Sequence, residues 1–200
     1  MKVIFLDHDG VICLHNNWDS RFKKQKKFIS DNIDITNQNI NTLKQKDKPL
    51  EIRFDDFDKG AIKVLNEILE KTDSEIVVSS DWKNFATLEE LGEYYISQGI
   101  IKKPIGMTKR LGEFDISSDF VWLKDWDLEQ TRCFEINQWL KENPEVQNWV
   151  AVDDLNLGTK GKRNLIGFQN DWGLKNFVNT PLSEGIKQQS IKEKILNFLI

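Results

Sequence analysis

Residues 3–6, Val-Ile-Phe-Leu, run apolar without a break and stop at two carboxylates in the stretch VIFLDHDGVI (residues 3–12). A short apolar run bounded by Asp and Gly predicts a central strand covered on both faces, because every side chain must then meet an apolar layer. Asp7 and Asp9 stand one residue apart at its carboxyl end. Like charges held so close and shielded from water cost several kcal/mol unless a cation, a proton or hydrogen-bond donors offset them. A chain that keeps this pair must bring something else to the same strand end.

The pattern recurs farther along. EIVVSS (75–80) is apolar until two hydroxyls, and NWVAVDD (148–154) is apolar until Asp153 and Asp154. NLIGF (164–168) is a fourth candidate strand. Helical periodicity lies between them. From Asp58, an N-cap residue, Ala61, Ile62, Leu65, Ile68 and Leu69 repeat at the spacing of one helix face. Ile136, Trp139 and Leu140 mark another helix in TRCFEINQWLKEN, which Pro144 stops. SIKEKILNFLI closes the chain as a third amphipathic helix. Strands alternating with helices predict an α/β fold with a parallel sheet, and 200 residues suffice for one domain, 1–200, with insertions.

Two segments interrupt the alternation. Residues 15–52 are polar and locally basic, with Arg21, Lys23, Lys24, Lys26, Lys27, Lys44, Lys46 and Lys48 set against Asp19, Asp31, Asp34 and Asp47. They read as an insertion above the sheet. Residues 83–130 hold a helix, LEELGEYYISQ, then an aromatic and acidic run with Phe114, Phe120, Trp122 and Trp126, and read as mixed helix and loop beside it.

Several function classes are disfavoured from the outset. A formal net charge of −4 gives no global drive toward nucleic acid or anionic membrane, so any such contact must be local. No apolar stretch approaches the roughly 20 residues that span a bilayer. Met1 and Lys2 lead straight into the first strand rather than into a signal segment, and Cys13 and Cys133 have neither metal-site spacing nor the density of a disulfide scaffold. Free thiols and a cytoplasmic location are expected.

Ligands of open parallel sheets bind at the carboxyl ends of the strands. Three of the four candidate strands end in the residues that polar chemistry needs: Asp7 and Asp9, Ser79 and Ser80, Asp153 and Asp154. Carboxylates from two strands meeting at one edge suit a hard divalent cation, and Mg²⁺ is the expected cofactor.

In this order and spacing the motifs resemble the haloacid dehalogenase (HAD) superfamily of phosphotransferases. FLDHDGV matches its first motif, IVVSS its second and WVAVDD its fourth. The third, a base near the start of the preceding helix, falls on Arg132, with Lys141 as the alternative. A closer resemblance, over FDDFDKGAIKVLNEILEKTDSEIVVSSDWK, TRCFEINQWLKENPEVQNWVAVDD and VNTPLSEGI, is to the HAD-type phosphatase domain of some Swiss-Army-knife RNA repair proteins. There a serine pair followed by Trp and a base is characteristic, as in Ser79, Ser80, Trp82 and Lys83, although Asp81 departs from the usual small residue. The resemblance implies a HAD-like three-layer sandwich whose sheet is mostly parallel, with residues 15–52 as a small cap or flap.

It also implies roles. Asp7 is the expected nucleophile, forming an aspartyl-phosphate, and Asp9 the acid and base. Ser79 and Arg132 would hold the phosphoryl group, with Ser80 and Gly10 completing the substrate-binding set. Asp7, Asp153, Asp154 and the backbone carbonyl of Asp9 would hold Mg²⁺. The expected substrate is a phosphorylated small molecule or a nucleic-acid end. A phosphate- or protein-binding module without turnover is the alternative, and a phospho-accepting receiver domain is disfavoured because one acidic pair here follows a late strand.

Other features have plainer readings. Alternation points the His8 ring away from the two aspartates, into local packing. His15 is read as a loop residue and Ser80 as a helix cap. LGTKGKRN lacks the spacing of a P-loop. Trp122, Trp126, Trp139 and Trp149 suit core or interface packing, with a base-stacking platform as the sharper alternative.

Overall fold

The computed structural model describes residues 1–31, 40–110, 113, 128–158 and 173–200. The apolar run at residues 3–6 lies in β1 (Lys2–Leu6), the middle of five strands among the described residues. β2 (Glu75–Val78) flanks it on one side and β4 (Asn148–Asp153) on the other, with β3 (Gly106–Met107) and β5 (Phe177–Asn179) outside them. Every neighbouring pair is parallel, and Phe5 is in register with Val77 on one side and Ala151 on the other.

Alternation along the central strands divides the core into two layers. Ile4, Leu6, Ile76, Val78, Val150 and Val152 share one cluster with Leu65, Ile68 and Leu69 of α3 (Lys59–Thr72), Tyr94 and Tyr95 of α4 (Leu88–Gln98), and Ile195 and Leu199 of α6 (Ile191–Leu199). Val3, Phe5, Val77 and Ala151 share the second with Cys133 and Ile136 of α5 (Leu128–Glu142). Phe5 meets Trp139 and Trp149 edge-on, at ring separations of 5.3 and 5.8 Å, so these two tryptophans serve packing. Both cysteines are buried and neither forms a disulfide. Each large apolar side chain so buried contributes roughly 1.5–3 kcal/mol, which makes a doubly covered strand the natural fate of Val-Ile-Phe-Leu. The result is a three-layer α/β sandwich.

Local signals start and stop the helices, and the N-cap expected at Asp58 is in place. The Asp58 carboxylate accepts the Ala61 N–H at 2.9 Å and starts α3, which ends at Asp73 in the left-handed region, φ 51°. Thr87 and Glu90 form a reciprocal capping box at the start of α4.

Within the polar segment after β1, the described residues form α1 (Ser20–Asp31), α2 (Leu50–Arg53) and short 3₁₀ turns. The segment is tied where it leaves and returns: Asp55 accepts the Arg21 N–H at 2.8 Å, and Ser20 Oγ accepts the Asp56 N–H at 2.8 Å. Gln25 Nε2 donates to the Ile52 carbonyl at 3.0 Å. Buried Arg53 donates to the carbonyls of Lys48 and Phe85 at 2.9 and 3.0 Å and pairs with Glu90 at 2.9 Å. These bonds dock the returning chain against the start of α4.

Two details differ from the expectations. Among the described strands β5, at Phe177–Asn179, is the one next to β4; the candidate strand NLIGF lies outside the described residues, as do Phe114, Phe120, Trp122, Trp126 and most of LGTKGKRN. The two-residue β3 lies inside the region read as helix and loop. No helix among the described residues is long and apolar enough to cross a membrane.

Candidate active site

Backbone pairing carries the three functional strands to a common edge. The Asp7 N–H donates to the Val152 carbonyl at 3.1 Å, and the Ser79 N–H to the Leu6 carbonyl at 2.9 Å. The chain then turns at Gly10, φ +69°. A Cβ there would sit 2.7 Å from Asp154 Cβ, so only glycine combines this turn with the approach of the second acidic pair. Thr180 Oγ1 donates to the Gly10 carbonyl at 2.9 Å and holds the turn from the far side.

Arg132 sits at the centre of the charged groups. It is 3% exposed, and one of its terminal nitrogens lies 3.2 Å from Asp7 Oδ1 and 3.0 Å from Asp153 Oδ2 while also donating to the Ser79 carbonyl. The other lies 3.6 Å from Asp81 Oδ1. Burial works against the guanidinium charge, but Asp7 and Asp153 more than offset this and keep it protonated. Of the two candidates for the base near the start of the helix, Arg132 is the one that lies in this cluster. Lys141, the alternative, is exposed at the other end of α5, because nine residues along a helix displace a side chain by roughly 13 Å. It plays no part in this cluster.

The carboxylates strain against their surroundings. Burial first, and then Asp7, push Asp153 well above the ordinary carboxylate range, and the same two causes raise Asp154 to about 6. Asp153 is steadied by the Leu155 N–H, 2.9 Å from Oδ1. Asp7, Asp153 and Asp154 each place an oxygen within 4.8 Å of the others. Three hard oxygen donors, short of positive charge even with Arg132 beside them, fit a divalent cation and could hold one. The Asp9 carboxylate is outside this group. Ser79 supplies a second open valence: its hydroxyl is buried and has no hydrogen-bond partner among the described residues, a state that costs about 1–3 kcal/mol unless a ligand satisfies it.

Asp9 faces a different environment. Its Oδ2 accepts the Trp82 Nε1–H at 2.9 Å. Burial raises its pKa, the Trp82 bond lowers it, and Asp7 raises it further; the net direction is upward. His8, between the two aspartates, turns into the core as alternation predicts. Its Nε2 lies 2.6 Å from the Tyr95 hydroxyl, and its ring packs against Phe57 and Trp82. Burial, aided by Arg132, holds its pKa down to about 3. Ser80 caps the short turn Asp81–Asn84, as expected, and His15 sits exposed in a 3₁₀ turn.

Some functional neighbours were not legible as such. Lys83 is buried on Glu135 of α5 and 2.9 Å from Thr108 Oγ1, and burial lowers its pKa; it binds the second and third motif segments together. Asp81, the departure from the usual small residue, adds a third carboxylate to Arg132. Thr180 carried no sequence signal, since its role depends on a backbone carbonyl 170 positions away. Trp82 was visible through its spacing from the serine pair, but its bond to Asp9 was not.

Comparison with known proteins supplies the last observation. A family model described as the HAD domain in Swiss Army Knife RNA repair proteins matches residues 3–190. No match was found among curated proteins or solved structures. The matched stretch runs from β1 to the residue before α6 and takes in all four strand-end and helix-start motifs. Such domains suggest a phosphatase-type hydrolase. The chain belongs to the HAD domain family of Swiss Army Knife RNA repair proteins.

Proposed function

We propose that this protein is a Mg²⁺-dependent phosphomonoester hydrolase that works through an aspartyl-phosphate on Asp7. One observation carries the reading: the single guanidinium of Arg132 touches the groups that close three separate strands, Asp7, Ser79 and Asp153. Such a convergence of charge on one point is what phosphoryl transfer demands, since positioning and charge stabilisation supply most of its catalysis.

Asp7 attacks phosphorus as the ester oxygen leaves, and Asp9 gives that oxygen its proton. In the second step Asp9 takes a proton from water as the water attacks phosphorus, and Asp7 is released. Ser79 offers its buried hydroxyl to a phosphoryl oxygen, and Arg132 offsets the negative charge. A bound Mg²⁺, held by Asp7, Asp153, Asp154 and the Asp9 carbonyl, would supply further charge stabilisation and polarise a phosphoryl oxygen. Gly10 keeps the space between the two acidic pairs open, while Ser80 holds the turn behind Ser79.

The substrates we infer are nucleotide or nucleic-acid end phosphates. The basic segment at residues 15–52, read as a cap over the site, supports this, because a locally positive cap favours a polyanion in a chain that is acidic overall. A cytoplasmic setting suits its two buried cysteines, which form no disulfide.

Phosphate release from an aryl phosphate, a nucleotide panel and 3′- or 5′-phosphorylated oligonucleotides, with Mg²⁺ or EDTA, tests the proposal. Release that needs Mg²⁺ and falls by about a thousandfold or more in Asp7→Asn is the expected result. Equal release by Asp7→Asn would remove the nucleophile assignment, and a folded, Mg²⁺-binding protein with no release from any compound would favour a binding module.

A further inference from the structure

Trp82 is bound to the site in a way that the reaction scheme does not use. Its indole is 6% exposed and stacks on Phe54 at 4.6 Å with the rings 9° from parallel, and on Phe57 at 5.4 Å and 20°. The His8 ring meets it edge-on at 4.6 Å, and the Tyr94 ring does so at 6.1 Å. The backbone at Trp82 is anchored too, because its N–H donates to Ser80 Oγ at the start of the turn, 3.5 Å away. A ring fixed by so many aromatic contacts has one rotamer open to it, and its single polar atom ends 2.9 Å from Asp9 Oδ2.

We propose that Trp82 is the positioning residue for the proton-transfer step: its Nε1–H fixes one oxygen of Asp9 so that the other faces the leaving group. This rests on the phosphomonoester reading above. A carboxylate at the end of two rotatable bonds visits several orientations, and a donor set in a rigid aromatic stack selects among them. Phe54 and Phe57 come from the chain returning from the 15–52 segment, so the packing of that return segment determines how Asp9 is aimed.

The chemistry gives the proposal a distinctive signature. In the first step the Asp7–phosphorus bond forms, the bond from phosphorus to the ester oxygen breaks, and the Asp9 proton passes to that oxygen. An alkyl alkoxide is too basic to leave without this proton. A dinitrophenolate leaves without it. Losing the aim of Asp9 must therefore penalise alkyl phosphates far more than dinitrophenyl phosphate, whereas a general structural defect penalises both alike.

The test compares kcat/KM, which reports the first step, for an alkyl phosphate and 2,4-dinitrophenyl phosphate in wild type and Trp82→Phe. Phenylalanine keeps the stack and deletes the N–H. The alkyl substrate should lose about tenfold more than the dinitrophenyl substrate, and Trp82→Phe should add nothing further to Asp9→Asn. Equal losses on both substrates, or an added loss in the Asp9→Asn background, would overturn the proposal. A wild-type protein that hydrolyses neither ester would instead overturn the phosphatase reading. A second measurement does not require the Trp82 variant to fold: in the wild-type protein the Trp82 indole N–H should exchange slowly with solvent, and Asp9→Asn should shift its resonance. An unshifted resonance would show that the bond to Asp9 is absent and would overturn the proposal.

Discussion

The two aspartates of the first motif stand one residue apart, yet they are held by opposite means. Asp7 lies among charges: Arg132 at 3.2 Å, with oxygens of Asp153 and Asp154 within 4.8 Å. Asp9 is set against Trp82, whose neighbours are the rings of Phe54, Phe57, His8 and Tyr94. His8 between them points into the core, where its ring packs on Phe57 and on the same Trp82 that bonds to Asp9. The lesson is that two carboxylates within three residues of chain can be held by opposite means, one among opposed charges and the other against packed rings. The charged half is sensitive to the loss of any one charge, while the aromatic half responds to the loss of a hydrogen bond.

The sharpest way to break this contrast is Arg132→Ala. It removes the buried cation and leaves Asp7 and Asp153 uncompensated, so unfolding free energy should fall by about 3–5 kcal/mol, whereas Lys141→Ala on the same helix should change it by less than about 0.5 kcal/mol. Chemical denaturation of both variants checks the ranking, and a larger loss for Lys141→Ala would move the third motif. Metal comes next. Mg²⁺ at a hundred times its dissociation constant should stabilise the folded protein by about 2.7 kcal/mol, and Asp153→Asn should abolish most of that gain. Thermal unfolding with and without Mg²⁺ reads it directly.

Smaller effects probe the aromatic half. Tyr95→Phe leaves the buried His8 Nε2 without its hydroxyl partner and should cost about 1–3 kcal/mol with the Mg²⁺ response unchanged. His8 also makes a pH prediction. Its pKa is about 3 when folded against 6.5 for a free imidazole, so between these values the unfolded chain binds a proton that the folded one refuses. Stability from this group is complete above pH 6.5 and is lost as the pH falls below it, by up to about 1.4 kcal/mol per pH unit. The His8 ring should remain neutral by NMR in the folded protein at pH 5. An imidazolium signal there would contradict the packing described.

The contrast also explains what could be read from the sequence. β1, β2 and β4 and the helices α3, α4 and α6 follow from periodicity and caps, which are local. Asp7, Ser79, Asp153 and Asp154 stand out because each follows an apolar run, whereas Arg132 comes from the resemblance, with Lys141 open beside it. α5 starts at Leu128, three residues before the stretch that its apolar spacing marks. β3 and β5, two and three residues long, are too short to show a period. The aromatic half was hidden for another reason: Trp82 and Asp9 are 73 positions apart, and Tyr95 and His8 are 87 apart. A bond of that kind depends on the packed core and leaves no spacing to read.

The central claim, that Asp7 itself carries the phosphoryl group, is tested most directly by trapping it. A ³²P-labelled aryl phosphate turned over with Mg²⁺ and quenched in acid within a single turnover should leave label on the peptide containing Asp7, removable by hydroxylamine and absent in Asp7→Asn. Rapid phosphate release with no label on the protein at any quench time would contradict the account and point to direct attack by water.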